Sequence, residues 1–224
     1  LTLVYYPFNF VVRETWGARP PNGVTSLNLP VPYVVVHHSY IPPVCETKDA
    51  CKRNMRVMQD MHQLHNGWQD IGYNFAVGGE GSVYEGRGWD AVGAHAVSYN
   101  VKSIGICMIG DFVENLPAAT QIQSLKELIA AGVELGYISP DYKLIGHRQV
   151  SATECPGQRL LLPYYSFSIA RHVIRKLLSC RIFPVAPAGI ATRGKWETNS
   201  QSPLVVTGKS LPPLQFRCTL LSSS

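Results

Sequence analysis

The chain has 224 residues, 46% apolar and 16% charged, with a net charge of +5; that is enough for one domain with a real core, or a domain with a tail. Residues 1–180 carry 15 Lys+Arg against 14 Asp+Glu, a net of +1, and residues 181–224 carry 5 against 1, a net of +4. A near-neutral body argues against a nucleic-acid-binding face, and no apolar run reaches the roughly 20 residues of a membrane-spanning helix.

Residues 1–12 (LTLVYYPFNFVV) are apolar and interrupted by Pro7. They are expected to be either an extended arm packed on the body or the remnant of a signal peptide. Residues 13–32 look loop-like, with Pro20, Pro21, Pro30 and Pro32. Tyr33-Val-Val-Val-His37 is a β-branched run that predicts a buried strand. Lys52 to Asn66 predicts a helix with Met55 and Met58 on one face, stopped by Gly67. Residues 71–77 and 82–85 predict two strands of a hairpin, and 103–109 another buried strand with Cys107 as a core thiol. Pro117 to Leu135 predicts a strong helix. Leu144-Ile145 ends a short strand before the loop 146–157, and 167–178 predicts a third helix. Beyond residue 180 the periodicity fails, so 181–224 is expected to be a basic, mostly disordered tail. The order of elements predicts an α/β fold, a central mixed sheet with helices on both faces.

The residues that carry chemistry sit at strand ends. His147 and Cys155 lie on one loop, and imidazole and thiolate are the side chains zinc prefers. A third ligand would come from His37 or His38, at the end of a buried strand. Side chains alternate across a strand, so only one of the two can face a given site. Two His and one Cys make three protein ligands, which leaves a fourth position for water and distinguishes catalytic zinc from structural zinc. Such an ion polarises a carbonyl and acidifies water, chemistry suited to amide hydrolysis. Cys45 and Cys51 are near enough to bridge, or are two free thiols at a helix start.

Several blocks occur in a fixed order: Thr15-Trp-Gly-Ala-Arg-Pro20, Val34-Val-Val-His-His-Ser39, Asp70-Ile-Gly-Tyr-Asn-Phe75, Val83-Tyr-Glu-Gly-Arg-Gly-Trp89, Gly93-Ala-His95, Ser103-Ile-Gly-Ile106, Gly110-Asp-Phe112, Gly146-His-Arg148 and Cys155-Pro-Gly157. Over residues 13–178 this pattern closely resembles the animal peptidoglycan recognition proteins, relatives of phage and bacterial zinc amidases. The resemblance implies a recognition or amidase domain over 13–180 that binds bacterial peptidoglycan or muropeptides. It implies a Zn2+ site made of His37, His147 and Cys155, with His38 supporting a ligand. Tyr73 matches the catalytic tyrosine, and Thr153 matches a position where animal amidases carry threonine. The general base is left open among zinc-bound water, Tyr73 and Thr153.

By the same resemblance Cys45 and Cys51 form a disulfide, which implies a secreted protein. The substrate groove is lined by the 70s strand, the 86–95 loop and the helix after Cys51. It would use Arg87, the Gly88-Trp89 pair associated with diaminopimelate-type stem peptides, and His95 as a hydrogen-bond donor. His62 and His65 are expected at the surface or groove rim. The implied activity is N-acetylmuramoyl-L-alanine amidase, acting as a monomer and removing immunostimulatory muropeptides. The alternative is a sensor that binds without cutting, and within the family Cys155 and Tyr73 separate the two.

Overall fold

The computed structural model describes residues 6–160. The helix expected over 167–178, the tail 181–224, and Cys180 and Cys218 lie outside them. The described chain contains strands β1 (Phe10–Val11), β2 (Val31–His38), β3 (Phe75–Val77), β4 (Val83–Glu85), β5 (Ser103–Met108) and β6 (Ile138–Gly146). Its α-helices are α1 (Arg13–Trp16), α2 (Lys48–Asp60) and α3 (Ala119–Glu134). The strands form one six-stranded sheet in the order β1-β4-β3-β5-β2-β6. Only the β3–β4 hairpin is antiparallel; the other neighbours run parallel. The expected mixed α/β sheet is therefore present.

Each face of the sheet has its own apolar layer. On one, Val34, Val36, Ile104, Ile106 and Met108 pack with Leu125, Leu128 and Ile129 of α3. On the other, Ala76, Tyr84 and Cys107 pack with Cys51, Met55 and Met58 of α2 and with Trp16 of α1. Strands buried on both sides must read as unbroken apolar runs, which is why β2 and β5 are legible in the sequence. Thr47 caps α2, its hydroxyl accepting from the Ala50 amide at 3.3 Å. Cys45 and Cys51 are joined by a disulfide across the same helix start.

Three features depart from the expectation. Residues 13–16 form the short helix α1, whose Trp16 indole donates to the Glu85 carbonyl at 2.8 Å. Strand β6 begins at Ile138, well before Leu144, because an edge strand tolerates the Pro140-Asp141 pair that reads as a loop. After Asp60 the helix continues as a π turn, Met61–His65.

Asn74 braces the sheet beneath the site. It is fully buried, and its amide donates to the carbonyls of Gly88 and Ala91 at 2.9 and 2.8 Å. Its side-chain oxygen accepts from the Gly105 amide at 2.9 Å. Asn74→Ala strands two carbonyls and one amide in the interior, and each unsatisfied buried group costs about 1–3 kcal/mol. The variant should lose at least about 3 kcal/mol of unfolding free energy in urea.

Candidate active site

The site forms where parallel strands end together. Val36 of β2 is in register with Gly146 of β6, so His37 and His147, each the next residue, lie side by side. Their rings are 4.5 Å apart. His37 points to the α2 face, in register with Cys107 of β5 and 5.3 Å from the Tyr73 ring. His38 points to the α3 face, where its Nδ1 accepts from the Phe112 amide at 3.3 Å. The alternation predicted for the pair holds.

The loop after His147 returns a thiol to that pair. A short 3-10 turn, His147–Gln149, reverses the chain, and the Arg148 amide donates to the Cys155 carbonyl at 2.8 Å. Gly157 then passes the 111–113 segment so closely that a Cβ there would sit 2.3 Å from the Phe112 carbonyl carbon. With φ at +91° the position suits only glycine. Cys155 Sγ ends 3.8 Å from His37 Nδ1 and accepts from the His38 amide at 3.4 Å.

One ligand atom from each of His37, His147 and Cys155 lies within 4.8 Å of the others. His37 is 1% exposed, and His147 and Cys155 are half-buried. The donor set is two imidazoles and a sulfur with no carboxylate among them, which suits zinc. Burial, then the neighbouring histidines, hold His37 well below the usual imidazole range, and burial alone lowers His147. Both are therefore neutral, the form that can ligate. Burial pushes the Cys155 thiol up to about 11, with the His38 amide and Arg148 pulling the other way.

These residues open into a cavity of about 520 Å³, which Tyr40, His62, Trp68, Tyr73, His95 and Thr153 also line. Tyr73 has its phenol beside the buried Cys107 thiol, and burial raises it well above 10. It therefore remains a protonated donor at neutral pH. Thr153 Oγ1 accepts from the Cys155 amide at 3.2 Å, which gives it a part in shaping the loop.

His62, expected at the surface or groove rim, does line the cavity, but it is buried there and stacked on Trp68 at 4.7 Å. Its Nδ1 accepts from the Gly72 amide at 3.0 Å, which leaves Nε2 as the donor, and burial lowers its pKa to about 4. Its position extends the Met55–Met58 stripe by one helical step, in keeping with the helical spacing read for Met61 or His62 in the sequence. His65 is exposed.

The groove residues expected from the 86–95 loop divide. Gly88 turns the chain with φ at +73°, and Trp89 enters the core against Phe75 and Tyr137, at 4.3 and 5.1 Å. The Trp89 ring is thus a core group on the α3 side and does not line the cavity. Arg87 donates to the backbone carbonyls of Ile71 and Val92, at 2.7 and 2.8 Å, and ties the loop down. His95 lines the cavity but is 9% exposed, and its Nδ1 lies 3.0 Å from His37 Nε2. It faces a neighbouring histidine where an open groove donor was expected.

Residues 27–158 match a family model described as N-acetylmuramoyl-L-alanine amidase. The chain belongs to this family. Among its relatives is the peptidoglycan-recognition protein LB of Drosophila melanogaster, 52% identical over 161 residues, or 72% of this chain and 69% of that protein. The human N-acetylmuramoyl-L-alanine amidase is 43% identical over 151 residues, 66% of this chain but only 26% of that protein. This chain therefore spans about a quarter of the human amidase. A similar solved structure is peptidoglycan recognition protein LE in complex with tracheal cytotoxin, a monomeric diaminopimelic acid-type peptidoglycan. It has a TM-score of 0.69 and 44% identity, covering 70% of this chain and 92% of that one.

The buried imidazoles predict an acid-sensitive fold. His62 and His95 are held at about 4 and about 3, below the roughly 6.5 of the unfolded chain. As pH falls through 6.5 the unfolded state takes up protons that the folded state refuses, so stability is full above that pH and lost below it. Between pH 7.5 and pH 5 each of these two should remove up to about 2 kcal/mol, at about 1.4 kcal/mol per unit. Urea unfolding of metal-free protein at both pH values checks this, with a smaller difference for His62→Gln.

Proposed function

We propose that this protein is a zinc-dependent N-acetylmuramoyl-L-alanine amidase that cleaves the amide between the lactyl group of muramic acid and L-alanine. The observation that carries the reading is the convergence of His37, His147 and Cys155 at the floor of a cavity lined by Tyr73. Zinc held by those three residues supplies Lewis acidity toward the amide carbonyl and toward water.

The chain's own groups do the rest. Neutral His37 and His147 offer lone pairs without first losing a proton. Tyr73, protonated at neutral pH, donates a hydrogen bond to the carbonyl oxygen as it gains negative charge. Its high pKa argues against a role as general base at neutral pH. Thr153 holds the Cys155 loop in shape through the Cys155 amide. In the net reaction one water adds across the amide: the carbon–nitrogen bond breaks, the lactyl carbon gains oxygen, and the alanine amine leaves with a proton.

The tracheal cytotoxin bound by the related protein LE supports a muropeptide ligand of diaminopimelic acid type. The 86–95 loop would meet it through the backbone around Gly88, with Arg87 holding that loop in place through the carbonyls of Ile71 and Val92, since the Trp89 ring belongs to the core. Loss of the stem peptide removes the ligand that immune receptors detect, so the biological role is muropeptide scavenging. The Cys45–Cys51 disulfide supports secretion, because such bonds persist in oxidising compartments.

The test combines zinc titration with peptide release from a diaminopimelate-type muropeptide. Cys155→Ser should abolish zinc-dependent release while binding to insoluble peptidoglycan persists. Tyr73→Phe should keep zinc and lower kcat by about 10²–10³, the loss typical of one oxyanion donor. Binding with no release by the parent chain would establish the sensor reading instead.

A further inference from the structure

We infer that His95 is a positioning residue that selects the nitrogen through which His37 binds metal. The inference rests on the zinc reading of the site. His37 presents Nδ1 to Cys155 Sγ, at 3.8 Å, and Nε2 to His95 Nδ1, at 3.0 Å. Two ring nitrogens at 3.0 Å share one proton: none leaves two lone pairs facing, and two would clash. For Nδ1 of His37 to ligate, it must be bare. The shared proton then sits on His37 Nε2 and is donated to His95 Nδ1. A ligating histidine ordinarily donates its second N–H to a carboxylate, a carbonyl or water. Here a second imidazole takes that place.

The surroundings hold His95 in this role. Its own amide and that of Ala96 both donate to Asn100 Oδ1, each at 2.8 Å. Its ring lies in a slot between two glycines: a Cβ at Gly105 would be 2.3 Å from His95 Cδ2, and one at Gly93 would be 2.4 Å from it. The two glycines let the backbone close on the ring edge and hold it. His95 Nε2 is buried with no hydrogen-bond partner among the described residues. A bare acceptor is tolerated there more easily than an orphaned N–H. The metal-free pair therefore favours the opposite proton placement, with His95 Nδ1–H donating to His37 Nε2. For His37 Nδ1 to take metal, both rings change tautomer: the shared proton moves from His95 Nδ1 to His37 Nε2, the proton on His37 Nδ1 leaves to solvent, and His95 takes one up at Nε2.

Two variants and one spectrum test this. His95→Leu fills the slot without an acceptor, while His95→Asn places a carbonyl oxygen near the former Nδ1. Zinc affinity, measured by competition with a chromophoric chelator, should fall 10- to 100-fold in H95L. It should be largely restored in H95N. In the zinc-loaded parent, ¹⁵N NMR of the histidine rings should show His37 protonated at Nε2. H95L binding zinc as tightly as the parent, or a zinc-loaded His37 protonated at Nδ1, overturns the inference. If H95L does not fold, the parent spectrum decides alone. A parent that fails to bind zinc overturns both this inference and the amidase reading. A parent that binds and cleaves, with H95L its equal in affinity, overturns only this one.

Discussion

The parallel pairing of β2 with β6 is the constraint on which the site depends. Parallel neighbours end on the same side of a sheet, so the register of Val36 with Gly146 brings two distant histidines together with no further device. The third group, Cys155, is 118 positions from His37 and arrives only because the loop after His147 closes on itself. In open α/β sheets the crevice beyond the strand ends is where ligands bind, and this cavity lies there. The apolar layers on the two faces serve the same end. They fix the sheet so firmly that the successive residues His37 and His38 turn to opposite faces of it.

The site is polar yet poor in charge. Five imidazoles, a thiol and two phenols share its walls, and burial is the leading cause of the shifts at the histidines, Tyr73 and Cys155. Among the described residues no carboxylate is hydrogen-bonded to His37, and the next residue, His38, lies 3.8 Å from Asp111. Groups arranged in this way are neutral until a cation arrives, and a dication gains from three good donors. The neutral phenol of Tyr73 complements this in the proposed reaction, where it would answer charge that develops only as the amide is attacked.

Much of this was legible in the sequence. Fully buried strands have an apolar signature, and β2, β5 and the amphipathic α2 and α3 have it. Strand alternation allowed only one of His37 and His38 at the site, the family resemblance singled out His37, and His147 and Cys155 bracket a loop. What escaped was decided by tertiary contacts. Trp89 follows a flexible glycine, and whether its indole enters the groove or the core depends on Phe75 and Tyr137, far away in the chain. His95 lies in a stretch with no periodicity, and its pairing with His37 needs the close approach that Gly93 and Gly105 allow. Strand β6 was hidden by Pro140 and Asp141, which an edge position accommodates and a central one would not.

That edge position has a consequence for how the molecule is made. β2 carries a run of β-branched residues and already has β5 on one side. Its other side is covered by the last strand of the described chain. While the ribosome is still adding residues 109–137, a long apolar strand stands with one row of backbone groups unpaired, the geometry that invites association with a neighbouring chain. Emergence of β6 protects that edge and, within the next ten residues, delivers both remaining members of the His–His–Cys set. Protection of the edge and completion of the His–His–Cys cluster thus arrive together, at the end of the same strand.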